Sequence, residues 1–425
     1  MYKKINAGIR SLFLMPIFKE LSWYTFAQLF IQGASFISVV IVSRYLGPAN
    51  LGLYSFVLNY VGAFLTIIGG MDFYFAWKLA KSGNQFEDFK IYIGHKLNVY
   101  VSLSLLGLIS AWYILPKDVA LLVSVILLTV SLQSLNTFLI YAVINNRAKL
   151  VATVQIISAG VLLLAKISLV FFKAPLVWFI AISAFDLIFS GLIFSIYFLR
   201  KSEWRRTFST FIMPSLLSSF IFLYSTRLSI LSIILFQLLL RIDQLILATI
   251  TNAHSLGIYS AAVKISDVPN FLAGVLSNAL ASRISYISTK DDLASKRNFK
   301  NIMLYYAGVG FIIFIMFLIF APLAVKVLYG SKFLEAVPVL RAYSLSIPSM
   351  FLVSFFINVY GVRDRYHHQV AIFGASLFIN VILIYALTPI FGLSGTAFAT
   401  VIAYFFAASV FFFNLNKGKL SNKNI

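Results

Sequence analysis

The chain has no cysteine among its 425 residues and few charged residues. Without cysteine it can form no disulfide, thiolate metal site or cysteine nucleophile. Charged residues make up 11% of the chain, whereas a typical soluble domain has about a quarter. Acidic residues are especially scarce, with 13 Asp and Glu against 34 Lys and Arg. These shortages exclude an ordinary soluble globular protein and a small disulfide-stabilised domain.

Catalytic signatures are missing as well. The sequence contains no GxxxxGK[ST] phosphate loop, and therefore no built-in ATPase site, and it contains neither HExxH nor GxSxG. None of the four histidines has a metal-ligand spacing to another histidine or to a carboxylate, and the adjacent His367 and His368 would point in different directions on a helix. We therefore expect no catalytic residue, metal site or cofactor, and we interpret the chain as not an enzyme.

Long apolar runs are abundant. Hydrophobic residues make up 61% of the chain and the mean hydropathy is +0.93. Runs of about 18 or more apolar residues, each long enough to cross a bilayer, recur from end to end. The pattern predicts an all-α polytopic membrane protein with about twelve transmembrane helices. Their approximate ranges are 21–44, 52–77, 97–114, 119–143, 151–172, 176–199, 225–249, 256–282, 302–328, 338–360, 370–387 and 395–415.

The net charge of +21 would suggest nucleic acid as a partner of a soluble protein. If the N-terminus lies in the cytoplasm, however, most of the lysines and arginines fall in cytoplasmic segments, Lys96 among them. This distribution follows the positive-inside rule. It predicts cytoplasmic N- and C-termini, and it favours membrane lipids rather than nucleic acid as partners.

The stretch 207–224 is apolar enough to form a thirteenth span. An additional span would move Arg283–Lys300 to the outside, against the charge rule. We therefore interpret 207–224 as an interfacial or tilted lead-in to the seventh helix, similar to 9–20 before the first helix.

A short internal repeat divides the chain. Leu51–Ser55 (LGLYS) returns 205 residues later as Leu256–Ser260 (LGIYS), and the same offset aligns Gln32 with Gln237. Transporters are often built from such repeats, with the substrate handled between them. The repeat predicts an N-terminal lobe at 1–199, a cytoplasmic linker at 200–206 and a C-terminal lobe at 207–425, with six helices in each lobe.

Ionisable residues within apolar spans are the candidate functional residues, because charge inside a membrane is costly and usually faces a partner or a cavity. Four of them lie at similar depths on helices seven and eight. Two interpretations stay open: internal ion pairs that hold these helices together, or a polar cavity wall on which Arg241 and Lys264 bind an anionic head group. The complete set is Asp72, Lys166, Asp186, Arg241, Asp243, Lys264 and Asp267.

The remaining three residues also allow two interpretations. Lys166 could bind an anionic substrate, or its side chain could extend towards the membrane surface. Asp72 and Asp186 could form ion pairs or carry protons, because a carboxylate isolated in a membrane can be protonated near neutral pH.

Two passages of this sequence resemble a known family of membrane proteins. Arg241–Leu245 (RIDQL) and Leu256–Ile265 (LGIYSAAVKI) resemble the passage across helices seven and eight of Wzx-type polysaccharide flippases. In the first half, Arg44–Gly47 and Leu51–Ser55 correspond to them. Chain length and number of spans also agree with this family, which belongs to the multidrug/oligosaccharidyl-lipid/polysaccharide exporter superfamily.

The resemblance implies two six-helix lobes in a V around a central cavity that opens alternately to each side of the bacterial inner membrane. It implies translocation of undecaprenyl-pyrophosphate-linked oligosaccharide repeat units to the periplasmic leaflet, where they are polymerised into the O-antigen of lipopolysaccharide, capsule or a related polymer. The implied partners are the lipid-linked oligosaccharide and the polysaccharide polymerase machinery.

Two alternatives come from other functional classes. A multidrug or cation antiporter of the same superfamily would favour an acidic cavity, and the mixed charges here leave that alternative open. A membrane polysaccharide polymerase is less favoured, because such enzymes typically carry a large periplasmic loop and the outside loops here are short.

Overall fold

The computed structural model describes residues 16–81, 85–145, 147–202, 204, 211–225, 227–289, 293–363 and 365–421. Every regular element in these ranges is helical. The helices are α1 (Pro16–Lys81), α2 (Gln85–Ile114), α3 (Lys117–Val130), α4 (Thr137–Ile144), α5 (Ala148–Phe171), α6 (Leu176–Leu199), α7 (Leu216–Ser225), α8 (Arg227–Leu239), α9 (Ile242–Ile250), α10 (Ala253–Thr289), α11 (Leu293–Tyr329), α12 (Ala336–Ser344), α13 (Ile347–Val362), α14 (Tyr366–Phe391) and α15 (Leu393–Ser421).

The helices are those of a membrane protein. Within the described ranges, 8 helices are long and apolar enough to cross a membrane, or up to 10 if each of two bent pairs forms one span. The predicted class of an all-α polytopic membrane protein is thereby confirmed. The number of twelve spans and the two six-helix repeats stay predictions.

The 66-residue helix α1 contains a break that separates the first two predicted spans. Gly47 has a φ of +72°, and Pro48 follows it. Glycine adopts this left-handed conformation without the steric cost that a side chain would bring. Proline is well suited to begin the next helical segment, since it lacks an amide hydrogen and the first helical positions do not need one. The Gly-Pro pair therefore ends one helical segment and starts another.

The described residues form two compact units. Unit 1 contains the described residues up to Tyr45 together with Phe64–Ile230, and unit 2 contains Leu46–Ala63 and Leu231–Ile425. Compact packing and origin from a repeat are separate properties, so the lobes at 1–199 and 207–425 stay a prediction.

An aromatic cluster forms part of the core of unit 1. Trp204, from the predicted linker, is 2% exposed. Its ring lies 4.8–5.4 Å, centroid to centroid, from those of Phe89, Phe138, Tyr141 and Phe198. Buried aromatic side chains supply a large apolar area and prefer such tilted and edge contacts. Trp204 therefore anchors this part of the linker in unit 1.

Helix α7 lies in the predicted lead-in 207–224. With 10 residues it is about 15 Å long, roughly half the thickness of the bilayer hydrocarbon. Its Ser219 hydroxyl lies 2.8 Å from His95 Nδ1 of α2, whereas Phe220 and Ile221 on its other side are exposed. A helix of this length does not cross a membrane by itself.

The two copies of the sequence repeat meet within unit 2. A Cβ on Gly52 would collide with the carbonyl oxygen of Ala253, and a Cβ on Gly257 would collide with the carbonyl oxygen of Pro48. The 205-residue offset relates the two contacts, because it maps Gly52 onto Gly257 and Pro48 onto Ala253. The second segment of α1 and the start of α10 therefore cross at two glycines that leave no room for side chains.

Candidate functional site: charged residues within the helices

Arg241 lies at a break in the predicted seventh span. Helix α8 ends at Leu239 and α9 begins at Ile242, so the span at 225–249 is not one continuous helix. Arg241 Nη1 lies 2.9 Å from Asp267 Oδ2 of α10. The Arg241 side chain is 31% exposed and that of Asp267 is 24% exposed. The pair is charge-neutral and partly open, and its guanidinium retains further N–H donors.

Asp243 lies two residues after Arg241 and is completely buried. Its Oδ2 accepts a 2.7 Å hydrogen bond from the Tyr259 hydroxyl, and its Oδ1 accepts one from the backbone amide of Gln244. Both donors are neutral groups. Asp243 is therefore held in place by hydrogen bonds rather than by the second ion pair that the sequence suggested.

Lys264 is half-buried on α10, three residues before Asp267. This spacing places both residues on one face of the helix. The structure thus joins Arg241 to Asp267 and places Lys264 one turn away along α10, which supports the ion-pair interpretation for Arg241. A substrate-binding role for Arg241 and Lys264 stays a prediction.

A neutral polar network that the sequence did not predict lies beside Asp243. Gln244 Oε1 accepts hydrogen bonds from Asn59 Nδ2 at 2.9 Å and from Ser260 Oγ at 3.0 Å. Asn59 belongs to α1 and is the first-half counterpart of Lys264. No sequence motif indicates this contact, because it joins residues 185 positions apart.

In unit 1, Lys166 pairs with Asp186. Lys166 Nζ on α5 lies 3.5 Å from Asp186 Oδ2 on α6. The lysine side chain is 11% exposed and the carboxylate side chain is 49% exposed. The lysine is thus buried rather than extended into the surroundings, and the carboxylate is its partner.

A second pair in unit 1 includes a lysine that sequence reasoning missed. Lys96 was grouped with the cytoplasmic segments, but it lies within α2, and its side chain is 0% exposed. Lys96 Nζ lies 2.7 Å from Asp72 Oδ1, and the Tyr92 hydroxyl donates to the same oxygen at 2.8 Å. The four-residue spacing of Tyr92, Lys96 and Tyr100 was the available signal, since it places the three on one helix face.

Among the described residues, no group of three or more His, Cys, Asp and Glu side chains is arranged to hold a metal ion. Unit 1 holds the Lys96–Asp72 and Lys166–Asp186 pairs, and unit 2 holds the Arg241–Asp267 pair together with Asp243, which neutral donors hold. Such groups can neutralise each other, exchange protons or bind an anion.

The family follows from a comparison of the sequence with known families. The model of the polysaccharide biosynthesis protein family matches residues 17–287, which is more than half of the chain. This chain belongs to the polysaccharide biosynthesis protein family. The matched range includes Arg241, Asp243, Lys264 and Asp267. No curated protein matches the chain by sequence.

Solved structures share the fold. Lipid II flippase MurJ in an inward closed conformation is similar with a TM-score of 0.70 and 17% identity, over 92% of this chain and 87% of that one. An inward-facing multidrug resistance MATE family transporter of the MOP superfamily is similar with a TM-score of 0.71 and 13% identity, over 92% and 96%. The MATE transporter VcmN of Vibrio cholerae in its bent form has a TM-score of 0.56 and 14% identity, over 95% and 98%.

These findings confirm the resemblance at the level of family and fold. The chain is a multi-pass membrane protein of the polysaccharide biosynthesis protein family, and it shares the fold of lipid II flippase MurJ and of MATE transporters. At this sequence identity the likeness to solved structures carries no residue-level function.

Proposed function

We propose that this protein is a flippase for undecaprenyl-pyrophosphate-linked oligosaccharide repeat units of O-antigen, capsule or a similar polymer. It moves them across the bacterial inner membrane by alternating access, with both termini in the cytoplasm. The observation that carries the proposal is Arg241, a partly exposed arginine at a helix break within the predicted span 225–249.

The geometry of Arg241 suits a pyrophosphate. Only Nη1 of its guanidinium engages Asp267, so the remaining N–H donors can bind phosphate oxygens, for which a planar guanidinium is well suited. The carboxylate partner keeps the site neutral while it is empty. Lys264, one turn from Asp267 on α10, adds a second cation, and Lys166 is a separate candidate for substrate binding within unit 1.

The rival function, export of cationic drugs, requires an accessible carboxylate. Asp243 is 0% exposed and is held by Tyr259 and Gln244. Asp267 is engaged with Arg241. In unit 2 these contacts favour an anionic substrate over a cationic one, and the more exposed carboxylates of unit 1, Asp72 and Asp186, are each paired with a lysine.

The sequence carries no nucleotide-binding loop, so transport would draw on an ion gradient or on the substrate gradient. Asp72 and Asp186 are our candidates for proton coupling, because each is paired with a lysine while its own side chain stays 31% and 49% exposed, respectively.

Deletion and complementation test the proposal. We expect deletion of the gene to leave lipid-linked units on the cytoplasmic leaflet and to abolish the surface polymer. Arg241→Ala should restore polymer poorly at normal protein level, whereas Arg341→Ala, an exposed arginine of unit 2, should restore it fully. Polymer is measured on gels and the lipid-linked unit by leaflet-resolved detection.

Normal polymer after deletion in a strain without a second flippase would contradict the flippase function. New sensitivity to cationic drugs in the same strain would favour the antiporter. Equal complementation by Arg241→Ala and wild type would retain the flippase but remove Arg241 from its substrate site.

A further inference from the structure

Two cations converge on one aromatic ring at one end of the helices α5 and α6 in unit 1. Arg147 directly precedes α5, and Lys201 follows α6. Arg147 Cζ lies 5.4 Å from the centroid of the Phe198 ring, and Lys201 Nζ lies 5.9 Å from the same centroid. Lys201 also lies 5.2 Å from the ring centroid of Tyr197. The faces of these rings carry negative charge density and attract both cations.

The ring between the cations is fixed in position. Phe198 is 0% exposed, and its centroid lies 5.5 Å from that of Tyr141 and 5.2 Å from that of Trp204. Because this aromatic cluster belongs to the core of unit 1, Arg147 and Lys201 are held close to a rigid surface rather than on a free loop.

The positive charge here lacks a carboxylate partner within the described part of the chain. The four ion pairs found there are those of Lys90, Lys96, Lys166 and Arg241. The nearest acidic residue in sequence, Glu203, lies outside the described residues.

A third positive feature lies beside Arg147. This residue is the N-cap of the 24-residue helix α5, and its side chain makes no capping bond. The first backbone N–H groups of a helix have no partner within the helix and favour an anion. Arg147, Lys201 and this helix start together form a positively charged site, because all three lie at the same end of adjacent helices.

Exposed apolar side chains flank the site. Val143, Ile196 and Tyr197 are 43%, 54% and 40% exposed, and α5 and α6 are long and apolar enough to cross a membrane. A ligand that fits these surroundings carries an anionic head for the cations and hydrocarbon for the apolar side chains. A free anion would contact only the cations and would leave the apolar side chains unused.

We propose that Arg147, Lys201 and the start of α5 bind the phosphate head group of a membrane lipid, whose chains lie along Val143 and Ile196. The arginine fork binds two phosphate oxygens and the lysine a third. Lipid binding at this site can be measured without knowledge of the transport cycle.

Lipid binding to the purified full chain, measured by native mass spectrometry, tests this site. The probes are phosphatidylglycerol, phosphatidylcholine and inorganic phosphate. The test variant is Arg147→Gln with Lys201→Gln. The matched control is Lys149→Gln with Arg200→Gln, which removes the same charge from two exposed neighbouring positions. We expect phosphatidylglycerol binding to fall at least tenfold in the test variant and less than twofold in the control.

Equal losses in the two variants would show general charge attraction and would overturn the proposal. Equal binding of phosphatidylcholine by the wild type would overturn the anionic specificity, and full displacement of phosphatidylglycerol by millimolar inorganic phosphate would indicate a site for free phosphate. If the double variant does not fold, Lys201→Gln alone is compared with Arg200→Gln, and equal binding by these two would also overturn the proposal.

Discussion

Asp72→Asn should destabilise the protein strongly, because it leaves the Lys96 ammonium without its counter-charge. Lys96 is completely buried, and Asp72 Oδ1 is its only hydrogen-bond acceptor in the described structure. An asparagine in the same place keeps the shape of the side chain but not the charge. The substitution therefore isolates the electrostatic contribution of the pair.

Removal of one partner from a buried ion pair typically costs about 3–5 kcal/mol. Because the Asp72 side chain is 31% exposed, water reaches part of the site, and we place the cost near the lower limit, about 3 kcal/mol. At about 2–4 °C per kcal/mol for a domain of 150–250 residues, the Tm should fall by roughly 6–12 °C.

The assay is the thermal unfolding of the purified protein in detergent. The matched control is Glu87→Gln, the same carboxylate-to-amide change in the Glu87–Lys90 pair of α2, whose carboxylate side chain is 51% exposed. Pairs of this kind contribute about 0.3–0.5 kcal/mol. The double variant Asp72→Asn with Lys96→Met should reverse at least half of the decrease in Tm, since no buried charge is left. A Tm for Asp72→Asn within about 2 °C of the wild type would refute this reasoning.

Two further predictions concern unit 2. Gly257→Ala should lower stability by about 1–3 kcal/mol because its methyl group would meet the Pro48 carbonyl. Gly274→Ala on the same helix, where a Cβ would meet nothing within 4 Å, should not lower stability, and equal Tm values for the two variants would contradict the tight crossing. The exchange Arg241→Asp with Asp267→Arg should recover thermal stability relative to either single variant, but not surface polymer. Complete recovery of polymer would indicate that the pair serves structure alone.

The sequence alone was sufficient to predict the class of the protein. Long apolar runs require backbone hydrogen bonds to be satisfied within each segment, and helices achieve this in a bilayer. The missing catalytic motifs and the resemblance of Arg241–Ile265 to the flippases indicated a family that the match over 17–287 confirms. These properties depend on composition and on local patterns, which do not require knowledge of the tertiary structure.

The partners of the charged residues were decided by the tertiary structure alone. Asp72 was a candidate from its position in a span, but Lys96 is its partner because α1 and α2 bring together two residues that lie 24 positions apart in the sequence. An ion pair was one of two interpretations for Asp243, and in the structure Tyr259 and the backbone amide of Gln244 donate hydrogen bonds to it.

The two repeat glycines also separate what the sequence predicts from what the tertiary structure decides. The repetition of Leu-Gly around Gly52 and Gly257 was visible in the sequence, whereas their close approach was not. Helix periodicity says which residues share a face, but not which helix lies opposite that face. That choice depends on the packing of the helices across long sequence separations, and it determined both the glycine crossing and the ion pairs.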